Sequence, residues 1–202
     1  SGSGKSSVVF AGLLPRLQRS DNWLLATLRP GGRPFHALAG AVLPLLDDPL
    51  SETDRLIEVE KLARALREGE LSLHLVVERV LQRHPEAERL LLVVDQFEEL
   101  FTQRPDPTDQ RQFLDELLAA SRAASDRWTS RLVVLLTMRA DFMGQALAHR
   151  PFADALQEGS LLLGPMNRAE LQAVVEKPAE LQGAAFETGL VARILDDVGE
   201  EP

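Results

Sequence analysis

Apolar residues in this chain fall into two kinds of run. Short, nearly all-apolar runs occur at WLLATL (Trp23–Leu28), at residues 90–94, at residues 132–137 and at SLLLGP (residues 160–165). Each has the length and composition of a strand buried on both faces, as in a parallel sheet. Between them, apolar positions recur at helical spacing. Residues 8–17 carry Val9, Leu13 and Leu17 on one side and predict a helix, weakened near its end by Pro15. RPGGRP (residues 29–34) predicts a loop, and PFHALAGAVLPLL a helix to about Leu46.

Residues 51–84 read as two helices. Ser51 or Thr53 would cap the first and Gly69 would end it, with Leu56, Ile57, Ala63 and Leu66 as its apolar face. The second starts near Ser72, buries Leu73, Val76, Val77, Val80 and Leu81, and stops at His84-Pro85. Residues 109–124 predict an amphipathic helix with Phe113, Leu114, Leu117 and Leu118 inward. AHRPFADALQE is helical or irregular. Asn167 and Glu170 have the spacing of a capping box. They open a helix whose buried face is Leu171, Val174, Val175 and Leu181, and GLVARILDDV is the last helix.

Apolar strands alternating with helices predict an α/β fold, a mostly parallel sheet with helices on both faces. Chemistry in such sheets gathers at the carboxyl ends of the strands. Those ends read Arg29, Asp95 and Thr137 to Arg139.

Composition narrows the partners. Of 202 residues, 22 are Lys or Arg and 31 Asp or Glu, a net charge of −9. That balance argues against direct nucleic-acid binding by this domain, which needs a cationic face. With no cysteine there is no disulfide or thiolate metal site, which is compatible with the cytoplasm. No apolar run approaches a membrane span. His36, His74, His84 and His149 have no ligand spacing and read as surface positions.

The chain begins SGSGKSS. Gly4, Lys5 and Ser6 match the end of the phosphate-loop pattern G-x-x-x-x-G-K-[ST], whose first glycine would lie two positions before Ser1. The competing reading is a Ser/Gly linker remnant. Two features oppose it: Lys5-Ser6-Ser7 stands at the mouth of a predicted helix, and an all-apolar strand ends in Asp95. Phosphate loops need such a strand-end acid for Mg²⁺. Backbone N–H groups of Ser3, Gly4, Lys5, Ser6 and Ser7 would then wrap the β-phosphate of ATP or ADP. Lys5 would neutralise β- and γ-oxygens, Ser7 would reach the α-phosphate, and Ser6 and Asp95 would hold Mg²⁺. The plain alternative for Asp95 is a strand-ending turn acid.

Gln96 occupies the place where many such ATPases carry a water-activating Glu; it can orient water but is a poor base. Glu98 or Glu99 would reach in from the next turn, or else form a solvated acidic helix start. Arg139 stands where a γ-phosphate sensor belongs. Its alternative is a salt bridge to Asp141 or another surface acid.

SGSGKSS, LRPGGRPFHALA, LLLVVDQFEELF, VVLLTMRADF and LGPMNRAELQAVVEKPAE, in this order, resemble the novel STAND NTPase 1 domain of signal-transduction ATPases. The resemblance covers nearly the whole chain. It implies a three-layer P-loop core of the AAA-like branch with sheet order 5-1-4-3-2. The first strand would be missing from this chain and Ser1 would be a crop point. It implies a core over residues 1–165 and the start of a helical extension over 166–202. In such proteins an effector module commonly precedes this domain and WD40-type repeats follow it.

Three functional readings result. One is a regulated, slowly hydrolysing ATP switch that oligomerises when activated; Gln96 in place of an acid favours it. Another is a turnover ATPase doing remodelling work. The third is a nucleotide-free scaffold, which intact Lys5, Ser6 and Asp95 oppose.

Overall fold

The computed structural model describes residues 4–20, 22–46, 51–103, 105–122 and 130–198. The phosphate-loop residue Ser3 lies outside them, as do the last residues expected in the 109–124 helix. Contacts divide the chain into two compact units, Gly4–Ser160 and a second one built on Leu161–Pro202.

In the first unit, strands β1 (Trp23–Leu28), β2 (Arg89–Val94) and β3 (Leu132–Leu136) form a parallel sheet in the order β1-β2-β3. The register aligns Leu28, Val94 and Leu136 across all three strands. Both faces are apolar, and the period of two sorts the residues. Leu24, Ala26, Leu90, Leu92, Val94, Leu132 and Val134 face the larger core. That core is closed by helices Pro34–Leu46, Glu52–Arg67, Leu73–Arg83, Pro107–Ser121 and Arg150–Gly159. Trp23, Leu25, Leu91, Val93, Val133 and Leu135 face a smaller cluster made with Val9, Leu13, Leu14 and Leu17. The result is three layers; among the described residues the stretch Lys5–Leu17 covers the second face. Among the described residues no helix is long and apolar enough to cross a membrane.

Local chemistry sets the helix ends. The Ser51 hydroxyl accepts from the Asp54 amide, so Ser51 and not Thr53 is the cap. Gly69 follows at φ +72°, which a glycine adopts without strain. Ser72 caps Leu73–Arg83, and the helix ends before His84-Pro85. Leu73, Val76, Val77, Val80 and Leu81 are all buried, as their spacing predicts.

Five expectations are corrected. The stretch after the loop is not one α-helix. An α turn (Lys5–Ser7) leads into a π-helical segment (Val8–Leu13) and then a second α turn (Leu14–Leu17). The Leu14 amide bonds to Val9 O, five residues back. Pro15 has no N–H and its ring crowds the turn before it, and the wider register falls immediately upstream. In Glu52–Arg67 the inward residues are Val59, Ala63 and Leu66, while Leu56 and Ile57 are exposed, because burial in that helix begins only at Val59.

Residues 160–165 form no strand: Leu161 and Leu162 are 82% and 79% exposed. A strand exists only where a neighbour accepts its backbone bonds, and apolar composition does not supply one. In the second unit, helix Arg168–Leu181 carries the expected capping box between Asn167 and Glu170. It buries none of its residues, however, and Val174 and Leu181 are exposed. Its partner there is helix Leu190–Val198, joined through an Arg168–Asp196 ion pair at 2.5 Å. One short helix covers too little surface to bury a full apolar face. Finally, the four histidines are all partly buried. His149 is the most enclosed, with Nε2 3.0 Å from Asp115 Oδ1.

Candidate nucleotide site

The strand alternation that builds the two cores also builds the site. Leu91 and Val93 point to the face covered by the post-loop stretch, so Asp95, two residues on, points there too. The same count carries Leu25 to Arg29 and Leu135 to Thr137. Because Leu28, Val94 and Leu136 are in register, Arg29, Asp95 and Thr137 come out side by side at the carboxyl edge of the sheet. The ladder continues through them: the Asp95 amide donates to Leu28 O and the Thr137 amide to Val94 O.

Above this row stands the phosphate-loop segment. Gly4 precedes the first helical turn at φ +68°, a conformation that favours glycine. The Val8 amide bonds back to Gly4 O at 2.9 Å, fixing the turn that holds Lys5, Ser6 and Ser7. From it the Ser6 hydroxyl donates to Asp95 Oδ1 at 2.6 Å. The loop serine and the strand-end acid, 89 residues apart in sequence, thus meet directly.

Asp95 is 1% exposed, and both of its carboxylate oxygens accept hydrogen bonds. Oδ1 also accepts from the Thr137 hydroxyl at 2.7 Å, and Oδ2 accepts from Arg29 Nε at 3.2 Å. Arg29 Nη2 stands 3.2 Å from the same Oδ2. Burial alone would raise the Asp95 carboxyl, but the hydroxyls of Ser6 and Thr137 and the charge of Arg29 outweigh it. The carboxyl is held below its ordinary value and is ionised at neutral pH.

Gln96 turns the chain away from the sheet at φ +52°, uncommon for a residue with a side chain. Its amide donates to the Thr137 hydroxyl at 3.0 Å, and the Phe97 amide donates to Thr137 O at 2.8 Å. Phe97 is then locked in the core, stacked on Phe152 and edge-on to Phe101. This places the half-buried Glu98 and Glu99 at the start of the short helix Glu99–Thr102. A Glu98 carboxylate oxygen accepts from the Arg139 amide at 3.4 Å.

Arg139 lies apart from the Asp95 cluster. Its guanidinium makes a two-point pair with Asp141, at 3.1 and 2.5 Å, and sits over the Phe142 ring. The structure therefore brings together Ser6 and Asp95, sets Gln96, Glu98 and Glu99 on the adjoining turn, and gives Arg139 the Asp141 partner. Sequence reasoning assigned no role to Arg29 or Thr137. The clue was their common offset, one residue past the end of each apolar strand.

The donor set suits a small hard cation. Ser6 and Asp95 offer a hydroxyl and an ionised carboxylate within 2.6 Å of each other. Mg²⁺ is held by few protein oxygens and completes its shell from phosphates and water. Among the described residues no cluster of three or more acidic or histidine side chains would form a protein-only metal cage.

The sequence model of the family described as Novel STAND NTPase 1 matches residues 1–202, the whole chain, and the chain belongs to that family. No curated protein and no solved structure matches it.

Proposed function

We propose that this member of the Novel STAND NTPase 1 family binds ATP and ADP with Mg²⁺ between its phosphate loop and the end of β2, and acts as a slow, switch-type ATPase. The observation that carries the reading is the 2.6 Å contact of Ser6 with Asp95. It unites the two halves of an Mg²⁺-phosphate site from distant parts of the chain.

In this reading the amides around Gly4, Lys5, Ser6 and Ser7, together with Ser3, cradle the phosphates. Lys5 supplies the loop's own positive charge. Ser6 and Asp95 hold Mg²⁺, which draws charge from the β- and γ-oxygens. Thr137 fixes the Asp95 carboxylate and the Gln96 turn at once. Gln96 orients the attacking water without taking its proton, and Glu98 or Glu99, on the adjoining turn, accepts it. A weak base slows hydrolysis, and slow hydrolysis suits a switch. Arg139 leaves Asp141 for the γ-phosphate when ATP is bound.

The finer architecture belongs to the same proposal. The order β1-β2-β3 would correspond to strands 2, 3 and 4 of the AAA-like order 5-1-4-3-2 and supports that reading. Residues 1–165 form the nucleotide core and 166–202 begin a helical extension. In the complete protein, effector and WD40-type modules would read out an ATP-driven oligomer.

Calorimetric titration with Mg²⁺-ADP and a non-hydrolysable Mg²⁺-ATP analogue tests it. Wild type should bind both, and Lys5→Ala should bind either at least about tenfold more weakly, the loss expected of a charge-assisted phosphate contact. Equal binding by the two proteins would remove the loop from the site.

A further inference from the structure

Both carboxylate oxygens of Asp95 already carry donors. Oδ1 accepts from Ser6 at 2.6 Å and from Thr137 at 2.7 Å; Oδ2 accepts from Arg29 Nε at 3.2 Å, with Arg29 Nη2 in ion-pair contact at 3.2 Å. A cation approaching Oδ2 therefore meets the Arg29 guanidinium.

The three donors are not equally held. Thr137 is 6% exposed, and its hydroxyl also accepts from the Gln96 amide. Moving it would leave buried polar groups unpaired. Ser6 is on the loop, and its oxygen is itself a ligand for the cation. Arg29 is different. Its side chain is 59% exposed, and its contacts are longer than the 2.7–2.9 Å usual for a charge-assisted bond. A guanidinium at the surface recovers water when it lets go, and a divalent cation arriving at the same carboxylate repels it.

We propose that Arg29 is a resident counter-cation for Asp95, displaced when Mg²⁺-nucleotide binds, so that the chain carries a built-in competitor of its own metal. The proposal rests on the nucleotide reading above and adds a regulator to it. Arg29 keeps a buried carboxylate neutralised in the ligand-free protein. It also scales apparent metal affinity down to the fraction of molecules in which the pair is open. Arg29 is thus a positioning residue acting through Asp95. In sequence it is a strand-end residue that also opens RPGGRP, where a turn is the obvious reading.

The test compares ADP binding by calorimetry in Mg²⁺ and in EDTA, for wild type, Arg29→Gln and Arg29→Lys. The quantity read is the ratio of the EDTA Kd to the Mg²⁺ Kd. In Arg29→Gln that ratio should rise about two- to five-fold, the worth of a half-exposed ion pair. The EDTA value should stay unchanged, and the ligand-free protein should melt at a lower temperature. Arg29→Lys keeps the charge without the fork and should give a smaller rise; it decides the matter if the glutamine variant does not fold. A ratio unchanged in both variants, with a wild type that binds nucleotide, would overturn the proposal alone. So would a fall in affinity under both conditions, which would make Arg29 a phosphate ligand. A wild type that binds neither form would overturn the nucleotide reading and this proposal with it.

Discussion

The Arg139 guanidinium pairs with Asp141 and lies over the Phe142 ring, and in the proposed nucleotide complex it gains a γ-phosphate as well. Asp141 grips it from two residues away, both side chains are about half exposed, and a pair of that kind is easily exchanged. A γ-phosphate is a stronger partner, because the bond forms to a multiply charged anion in a partly dry site. Arg139→Ala should therefore weaken a non-hydrolysable ATP analogue by roughly tenfold or more while leaving ADP unchanged. Equal losses for the two nucleotides, or none, would confine Arg139 to its pair with Asp141. At this scale the sequence was most informative where one residue type has one job. A lysine and serine after a glycine, and an aspartate ending an apolar strand, name Ser6 and Asp95 directly. Arg29 and Thr137 were harder to assign, since an arginine in a Pro/Gly turn and a threonine after a strand have ordinary explanations. Their part becomes visible only through the register that aligns Leu28, Val94 and Leu136.

Elements were legible where their ends are set by neighbours in sequence. Ser51, Ser72 and Asn167 accept from amides three residues ahead, a contact a short peptide can make. The failed fourth strand, and the exposed face of Arg168–Leu181, depend on what lies across from them, which no local pattern encodes. The cap of Pro107–Ser121 gives an element-scale test. Asp106 accepts from the Thr108 amide at 2.8 Å, and its backbone and side-chain bonds to Thr108 hold its carboxyl below the usual value. A depressed carboxyl contributes stability that is complete above the unfolded value of about 3.9 and is lost as pH falls through the folded one. Asparagine caps as well as aspartate but does not titrate in this range. Wild type and Asp106→Asn should therefore melt at similar temperatures at neutral pH. Near pH 3 the wild type should lose more than the variant. A gap that does not change with pH would mean the cap charge is not coupled to folding.

The sheet joins these scales, because the strands that aim Asp95 and Thr137 also leave one flank with no further strand among the described residues. Thr137 donates to β2 through its amide, and bonds along a parallel strand alternate in direction. Val133, Leu135 and Thr137 thus spend their amides on β2, whereas those of Val134 and Leu136 point to the far side, where the described residues form no further strand. If β3 corresponds to the fourth strand of the order 5-1-4-3-2, this is the flank at which a first strand adds. Exposed edges of that kind template pairing with another chain. Amide hydrogen exchange should therefore split along β3. In dilute solution Val134 and Leu136 should exchange far faster than Val133, Leu135 and Thr137. As concentration rises their protection should increase in step with the measured molecular mass, while the β2-facing set stays slow throughout. Uniform slow exchange along β3 in a monomer would mean that another segment of the chain already covers the flank. The site would then sit on a sheet of at least four strands.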